Sequence, residues 1–512
     1  MWVDDEIEHL KPHILYLEDK GYKIDPITNG KDATVLVKKK QFDLILLDQS
    51  MPGMDGLETL KELKSINPNL IIIMITKTED EWLMDQAITE KVQQFLIKPV
   101  NPSQIFMACK QALEIIKLQE EKLMSDYLKE FKKFDEKLNS KLNLKDWWKL
   151  YNRLVDWEIK FDKYKDTGMD DILIDQINST NKEFSFFIEK NYKKWINSKD
   201  RPFFSNDIVK NYLIPIIEKE EKVCMVVVDC MRYDHFMVLS EYLEPIFNMD
   251  IKYVLSLLPT ATAYSRNAIF SGLYPDELIK KYPMQEHDMR NGSSSLNKYE
   301  EQFFEDQINR FGFKDKTMHY HKIWAVEEGN KFETKFKDYI KKDIISLVVN
   351  FVDLLAHKSS QTNVLKEMMQ DESAFRSAVK IWFEHSWLLK VLKKLSEQNF
   401  TVIITSDHGS IRVNNSVMVS ADKAASSGVR YKYGRNLNTN EKNALVIKDP
   451  KEYRLPIFGP QPSYLIAKED YYFIYPNEAN KYHAKFKNSF QHGGISMQEM
   501  FIPVVLLKSK NS

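Results

Sequence analysis

Cysteine is the scarcest of the chemically active residues in this chain. Only Cys109, Cys224 and Cys230 occur among 512 residues, and no two of them show the CxxC spacing of a zinc clip or redox pair. This excludes a disulfide framework and a cysteine-based metal site, and it is typical of a protein of a reducing compartment.

Long apolar runs and an excess of one charge are also missing. No stretch approaches the roughly 18 apolar residues of a membrane span, and no signal peptide opens the chain, so we expect a cytoplasmic protein without a membrane span. Lys and Arg number 73 against 74 Asp and Glu, a formal net charge of −1. The chain as a whole therefore has no general attraction for nucleic acid, and its length predicts several domains.

The first 120 residues alternate short apolar runs with amphipathic stretches, which predicts a parallel sheet covered by helices on both faces. Polar residues follow the runs, so they meet at one edge of the sheet. The predicted strands are Trp2-Val3, Lys23-Ile27, Asp43-Leu47, Ile71-Ile75 and Gln94-Ile97.

That edge has the composition of a magnesium site. Asp4, Asp5 and Asp48 supply the carboxylate oxygens that Mg²⁺ prefers, and Lys98 and Thr76 can contact a phosphoryl group on Asp48. Each acid alone is better explained as a solvated loop residue. The ordered set, with Met51-Pro52-Gly53-Met54-Asp55-Gly56 after Asp48, is not.

These motifs resemble the receiver domains of two-component response regulators. The resemblance implies that a sensor histidine kinase phosphorylates Asp48, with Thr76, Lys98 and the aromatic residue Phe95 as the switch positions. It also implies a homodimer that depends on phosphorylation. One departure is the short first strand, which leaves only Trp2-Val3 before the acids.

Glycine almost disappears from the middle of the chain, where Gly168 stands alone between residues 118 and 220. Lys, Glu, Leu and aromatic residues recur at helical spacing, which predicts a helical linker followed by a small bundle. Trp147, Trp148, Trp157 and Trp195 are expected in the bundle core; a partner surface or nucleic-acid surface is the alternative. The pair Arg201-Pro202 indicates the boundary of the next domain.

In the last 300 residues, acids and histidines follow apolar runs that predict buried strands. The runs are Lys222-Val228, Val254-Leu258, Ile344-Phe351, Thr401-Thr405 and Met500-Leu507. The polar residues that follow them or lie in a Gly-rich turn are Asp229, Thr262, Asp353 with His357, Asp407 with His408, and His492. We expect them to meet at one sheet edge.

The donor types indicate a two-metal site. Carboxylate and imidazole together suit zinc or manganese, and two such ions promote in-line displacement at phosphorus. A hydroxyl among them, at Thr262 or the neighbouring Thr260, suggests a nucleophile, with a phosphothreonine that is then hydrolysed. Singly, the pairs are weaker: His492 alone is compatible with a backbone hydrogen bond.

This set resembles the alkaline phosphatase superfamily and, within it, the PglZ domain. The motifs are Pro259-Thr260-Ala261-Thr262, Ser271-Gly272-Leu273-Tyr274-Pro275, Ser406-Asp407-His408-Gly409 and Gln491-His492-Gly493-Gly494. The resemblance implies that Asp353, His357 and His492 hold one Zn²⁺ (or Mn²⁺). It implies that Asp229, Asp407 and His408 hold the other, with Thr262 between the metals and the substrate.

Cations and aromatic residues near these motifs are candidates for substrate binding. Arg266, Arg430, Lys432 and Arg435, with Arg232, could contact phosphate, and Tyr264, Tyr431 and Tyr433 could stack on bases. The segment from Arg430 to Arg435 equally fits an ordinary surface hairpin. We favour a phosphodiester, a nucleotide or oligonucleotide. His319 and His321 are a further metal clip or, more simply, packed histidines.

Receiver, helical linker and PglZ domain in this order resemble the PorX-type response regulators of type IX secretion. We therefore predict an α/β multidomain chain: a flavodoxin-like doubly wound receiver at 1–118, a helical linker and bundle at 119–205, and an alkaline-phosphatase-like α/β sandwich at 206–512. The resemblance implies contact with a sigma factor or secretion component, and sequence-specific DNA binding is not expected. The alternative to a phosphodiesterase is an adaptor whose PglZ domain only binds partners.

Overall fold

A computed structural model describes most of the chain. The described residues are 1–67, 70–77, 82, 86, 89, 92–163, 168–291, 295–359, 363–420, 428–439, 442–459 and 462–510. They form two compact units, the first built on Met1–Asp135 and the second on Glu136–Asp162 together with Gly168–Ser512. The predicted α/β multidomain class is confirmed.

The first unit contains a five-stranded parallel sheet with the order β2-β1-β3-β4-β5. Its strands are β1 Trp2–Val3, β2 Pro26–Ile27, β3 Ile45–Asp48, β4 Ile72–Thr76 and β5 Gln94–Ile97. Its helices are Lys11–Asp19, Gly30–Val37, Gly56–Ile66 and the start of Pro102–Leu138, with a 3-10 turn at Ile7–Leu10. All five predicted strands exist. β2 begins at Pro26 rather than Lys23, and β3 begins at Ile45, where its buried residues start.

The predicted helical segment is divided between the two units. Its first boundary, at residue 118, falls inside the helix Pro102–Leu138. The helices Leu144–Phe161 and Asp170–Ile196 belong to the second unit. Trp148 stacks on Tyr253 at 4.7 Å between ring centroids and lies 5.5 Å from Phe501, so these helices use their aromatic residues to cover the carboxy-terminal sheet.

That sheet has six strands in the order β7-β18-β10-β6-β9-β8. They are β6 Val223–Val228, β7 Phe247–Leu255, β8 Met318–Ile323, β9 Ile344–Val349, β10 Thr401–Thr405 and β18 Phe501–Ser509. β6, β8, β9 and β10 are parallel, and β18 is antiparallel to both β10 and β7. β7 therefore runs in the direction of β10, and its carboxyl end lies at the same edge. β7 starts seven residues before the predicted run, because this edge strand alternates buried and exposed residues.

The remaining elements of the second unit are helices, short helical turns and the strands of smaller sheets. Helices of the second unit not yet named are Ile214–Ile217, Tyr233–Leu243, Thr262–Ser271, Pro275–Lys281, Pro283–Asn291, Glu300–Arg310, Val326–Thr334, Phe336–Tyr339, Phe351–Ser359, Asn363–Met368, Glu372–His385, Trp387–Glu397, Ala479–Phe486 and Met497–Met500. A π-helical turn spans Val209–Leu213, and 3-10 turns span Ser205–Asp207, Pro450–Tyr453 and Pro476–Glu478. The further strands are β11 Ile411–Val413, β12 Asn415–Met418, β13 Tyr431–Gly434, β14 Ala444–Ile447, β15 Ser463–Ala467, β16 Tyr471–Ile474 and β17 Ser489–Gln491.

Apolar residues fill both faces of the large sheet. Val226 and Ile404 lie in the cluster on one face, and Val227 and Ile403 lie in the cluster on the other. Both clusters are buried, which holds the strand ends in fixed positions. Among the described residues, no helix is long and apolar enough to cross a membrane.

Candidate functional site

The predicted ligands of the second unit meet at the carboxyl edge of its sheet. Asp229 follows β6 directly, Asp407 follows β10 after one residue, and Asp353 lies in the first turn of the helix after β9. Thr262 begins the helix that follows β7. His492 follows β17, which pairs with β11 just beyond His408, and this pairing brings the two imidazoles together.

Asp229, Asp407 and His408 form the first group, which we call the β6–β10 site. Their side-chain donor atoms all lie within 4.8 Å of one another. His408 Nε2 lies 3.7 Å from Asp229 Oδ1 and 3.6 Å from Asp407 Oδ2, and all three residues are buried. Asp407 Oδ2 is buried without a hydrogen-bond partner among the described residues, which is costly unless a cation faces it.

Asp353, His357 and His492 form the second group, the β9 site. His357 Nε2 lies 3.3 Å from Asp353 Oδ1 and 3.2 Å from His492 Nε2. Asp353 and His357 are four residues apart on one helix, so one turn aligns them. The two sites adjoin, because the rings of His408 and His492 stack with centroids 4.2 Å apart.

Hydrogen bonds orient two of the imidazoles as metal ligands require. His408 Nδ1 faces Gly409 O at 3.1 Å, and His492 Nδ1 faces Thr260 O at 3.3 Å. A carbonyl oxygen only accepts, so each Nδ1 carries the proton and each Nε2 keeps a lone pair for a cation shared with its neighbouring carboxylates. The donor chemistry of both groups therefore fits a divalent ion such as Zn²⁺ or Mn²⁺.

The charges of the two groups also fit cations. Burial raises the pKa of Asp229 well above its usual range, against the lowering effect of Arg266, and the carboxylate of Asp407 raises it further. Burial lowers the pKa of His492 well below that of a free imidazole, which keeps it neutral. Burial opposes the charge of Asp353, but the hydrogen bond and charge of His357 outweigh it and hold that pKa below its usual range.

The structure places the hydroxyl of Thr262, and not that of Thr260, against the acids and imidazoles of these groups. Thr262 Oγ1 lies 3.0 Å from His408 Nε2 and 3.4 Å from Asp229 Oδ1. Thr260 is buried and donates to Gly494 O at 2.8 Å while it accepts from Gly493 N at 3.2 Å. Thr260 thus fixes the loop of His492, whereas Thr262 opens a helix whose first N–H groups favour an anion.

Arg266 does not serve as the free substrate cation that its position suggested. Its side chain is 1% exposed, and its guanidinium pairs with Asp229 Oδ2 at 2.5 Å and with Glu300 Oε1 at 2.6 Å. It also donates to Asn350 Oδ1 at 3.1 Å. Arg266 therefore positions Asp229. Glu300 and Asn350 escaped the sequence reasoning, because neither stands in a motif.

Arg430 and Lys432 are also held inside the protein rather than at a substrate surface. Arg430 is fully buried and donates through Nε and Nη2 to Glu499, whose carboxylate also accepts from Gly494 N. Lys432 is fully buried over the ring of Tyr475, and burial lowers its pKa to about 8. Of the predicted cations in this segment, only Arg435 is exposed.

The other predicted aromatic residues and histidines near the site pack against neighbouring parts of the chain. Tyr431 contacts the loop of His492, since a Cβ on Gly493 would meet its ring carbon at 2.6 Å, and Tyr264 meets Tyr431 edge to face at 5.7 Å. His319 stacks on Tyr339 at 4.1 Å and lies 5.8 Å from His321. Of the two readings of these histidines, packing is the one the structure supports.

A buried ion network lies behind the β6–β10 site and reaches the linker helix. Arg232, three residues beyond Asp229, pairs with Asp234, and Arg376 contacts Asp234 at 3.1 Å. Arg376 also binds Asp162 through two 2.7 Å hydrogen bonds and Glu158 at 3.2 Å. The helix Leu144–Phe161 is thereby tied to the strand end that carries Asp229.

The first unit has its own cluster of acids at the carboxyl edge of its sheet. Oxygens of Asp4, Asp5 and Asp48 lie within 4.8 Å of one another, which fits an oxygen-liganded Mg²⁺. Lys98 Nζ lies 2.5 Å from Asp48 Oδ1 and 2.9 Å from Asp4 Oδ2. Thr76 ends β4 beside β5 and is buried, and Phe95 is half-buried in β5. All five predicted receiver residues and Phe95 thus lie at or near one sheet edge.

Three family models match the chain in succession. The response regulator receiver domain matches residues 1–110, the PorX response regulator linker domain matches 117–196, and the BREX system PglZ alkaline phosphatase-like domain matches 208–507. The PglZ match covers more than half of the chain.

Curated relatives match in the receiver region. The transcriptional regulatory protein ZraR of Klebsiella oxytoca is 34% identical over 118 residues, 23% of this chain and 27% of the relative. The chemotaxis protein CheY of Thermotoga maritima is 32% identical over 89 residues, 17% of this chain and 74% of the relative. The chain thus spans about a quarter of the length of the first relative.

Solved structures match the same region. A CheY-like receiver domain protein of Methanospirillum hungatei JF-1 is 24% identical, with 23% of this chain and 94% of that chain covered and a TM-score of 0.23. The chemotaxis protein CheY4 of Vibrio cholerae is 27% identical, with 22% and 95% covered and a TM-score of 0.21.

Proposed function

Because the chain belongs to the PglZ alkaline phosphatase-like family and is a PorX-type response regulator, we propose that it is a metal-dependent phosphodiesterase under the control of Asp48. A sensor histidine kinase supplies the phosphoryl group to Asp48. The observation that carries the proposal is the position of Thr262 Oγ1, 3.0 Å from His408 and 3.4 Å from Asp229, where two groups of metal-binding side chains adjoin.

Each group of side chains has a defined part in the proposed reaction. Asp353, His357 and His492 hold one divalent ion, and Asp229, Asp407 and His408 hold the other. When bound, two such ions supply Lewis acidity that stabilises negative charge on the attacking and leaving oxygens.

Thr262 is the proposed nucleophile. Its Oγ1 gives up its proton to solvent and forms a bond to phosphorus, and the ester oxygen leaves with the bonding electron pair and takes up a proton. Water then cleaves the bond between phosphorus and Thr262, which restores the hydroxyl and releases a phosphate monoester. The first N–H groups of the helix Thr262–Ser271 stabilise the charge on the phosphoryl oxygens, since a helix amino terminus favours anions. The Asp229 carboxylate is fixed for this task by Arg266.

The surroundings favour a diester over a monoester. A monoester carries an extra negative charge that a nearby cation usually binds. Four predicted cations, Arg232, Arg266, Arg430 and Lys432, are at most 1% exposed and engaged within the protein. The half-buried ring of Tyr431, beside the loop of His492, is present instead and supports a substrate that carries a base. We therefore propose a nucleotide or oligonucleotide diester.

Hydrolysis of a chromogenic phosphodiester tests the proposal. The purified chain loaded with Zn²⁺ or Mn²⁺ should hydrolyse it, and Thr262→Ala should lower the rate more than about a hundredfold with unchanged metal content. Thr262→Ser should retain part of the activity. The exposed Thr334→Ala provides a matched control. An unchanged rate in Thr262→Ala would sink the assignment.

The adaptor alternative is separated by a secretion assay in cells that lack their own copy. A catalytic output requires both Asp48 and Thr262, whereas an adaptor that contacts a sigma factor or secretion component requires Asp48 alone. Full secretion with Thr262→Ala and none with Asp48→Ala would favour the adaptor.

A further inference from the structure

A cleft of about 760 Å³ lies in the second unit among residues that the metal sites do not use. The start of the helix Leu144–Phe161 forms one wall, the end of Asp170–Ile196 forms another, and Tyr253 of β7 contributes to the lining. Its volume falls within the roughly 300–1,000 Å³ of small-molecule sites. None of the metal-binding residues lines this cleft.

Aromatic rings supply the apolar part of this cleft. Phe187 and Trp195 meet edge to face with centroids 5.5 Å apart, and Tyr253 adds a third ring. All three side chains are only half-buried, so part of each ring remains accessible. Such rings bind flat, conjugated ligands by stacking, largely without regard to the particular base.

Lysines supply an excess of positive charge. Lys141, Lys145 and Lys190 line the cleft and are exposed, and none of them forms an ion pair in the described part of the chain. The cation Arg201 is different, because Asp207 holds it through hydrogen bonds of 2.5 and 3.0 Å. Asp200 is the one acid in the lining, so the three lysines leave the cleft positive.

We propose that this cleft binds a nucleotide at a site separate from the metal centre. A nucleotide combines a flat base with a phosphate, which matches accessible rings beside three unpaired ammonium groups. The cleft is walled by both linker helices of the second unit, so an occupant contacts the same helix that carries Glu158 and Asp162 to Arg376. The inference does not rest on the proposed phosphodiesterase.

Calorimetric titration of the full metal-loaded chain with adenosine monophosphate tests the proposal. Binding at the cleft should survive treatment with EDTA, whereas any binding at the metal centre should not. Lys145→Glu and Lys190→Glu should each weaken the EDTA-insensitive binding at least about tenfold, and Trp195→Ala should do the same. Lys149→Glu, exposed on the same helix but outside the cleft, is the matched control.

Two separate probes then test the two halves of the ligand. Inorganic phosphate and adenosine should each bind at least tenfold more weakly than the monophosphate. The proposal is overturned if no EDTA-insensitive binding occurs, if Lys149→Glu weakens it as much as Lys145→Glu, or if phosphate alone binds equally well. Because no hydrolysis is measured, such a failure leaves the phosphodiesterase proposal untouched, and loss of hydrolysis in Thr262→Ala leaves this one untouched.

Discussion

Asp229 and Arg266 form a buried ion pair that ties the end of β6 to the helix of Thr262. Arg266 Nη1 binds one carboxylate oxygen of Asp229, and the other oxygen faces Thr262 Oγ1 at 3.4 Å. Arg266 and Thr262 are one helical turn apart on the same helix. The Asp229 carboxylate thus both contacts the proposed nucleophile and belongs to the β6–β10 site.

Substitution of Arg266 should therefore weaken metal binding through Asp229. Arg266→Lys keeps a positive charge but loses the planar fork that contacts Asp229, Glu300 and Asn350 together. Loss of such a supporting contact typically lowers metal affinity about 10–100-fold. Competition against a chelator of known affinity measures the metal affinity of the variant.

Arg454→Lys is the control for Arg266→Lys, since Arg454 also makes two acid contacts but pairs with Asp276 and Glu277. It should leave metal affinity unchanged. Equal affinity in both variants would contradict a positioning role for Arg266.

The two metal sites should be separable by mutation. Asp353→Asn removes a charged ligand of the β9 site only, so the Zn²⁺ bound by the second unit should fall from two equivalents to one. Asp407→Asn should empty the β6–β10 site instead. Elemental analysis after gel filtration counts the ions. The control Asp338→Asn, at an exposed residue of the short helix Phe336–Tyr339, should retain two.

Bound metal should also stabilise the chain. A ligand at a hundred times its dissociation constant adds about 2.7 kcal/mol of folding free energy, because it binds the folded state alone. Thermal unfolding with and without Zn²⁺ measures the gain, which each site variant should reduce. Identical melting curves with and without the ion would argue against both sites.

The clustering of the proposed metal ligands could be predicted because most of them follow apolar runs, and a parallel sheet brings its strand ends to one edge. The partners of those residues could not be. Glu300 and Arg430 resemble surface residues in a linear sequence, yet Arg430 pairs with Glu499, 69 residues away, and both are buried. A buried arginine and an arginine that binds substrate have the same sequence signature. The linker helices show a similar ambiguity, since their aromatic residues pack between the helices, where Trp147 meets Phe184, and also against the sheet, where Trp148 stacks on Tyr253.

Asp48 should be the acceptor of the phosphoryl group in the receiver. It lies with Asp4 and Asp5 in the acidic cluster, and Lys98 Nζ is 2.5 Å from its Oδ1. Incubation with acetyl phosphate and Mg²⁺ should add one phosphoryl group, detectable by intact mass, and Asp48→Asn should prevent it. The exposed Asp43→Asn should be modified normally. Equal labelling of Asp48→Asn would place the acceptor elsewhere.

Glu158 should make the stability of the second unit depend on pH. Burial raises its pKa from 4.5 to about 7, against the lowering effect of Arg376. The folded state therefore holds a proton on Glu158 that the unfolded state releases, so stability is fully present below about pH 4.5 and falls as pH rises through 7. Glu158→Gln mimics the protonated form and should remove this loss.

The expected difference is largest above pH 7. At pH 8 the free energy of unfolding of Glu158→Gln should exceed that of the wild type by roughly 1–3 kcal/mol more than it does at pH 5. The reason is that each pKa unit corresponds to about 1.4 kcal/mol. Thermal unfolding at the two pH values measures it. Glu183→Gln, exposed on the neighbouring linker helix, should show no such change. If Glu158→Gln instead loses stability equally at both pH values, Glu158 is ionised in the folded chain, and its contact with Arg376 is an ordinary ion pair.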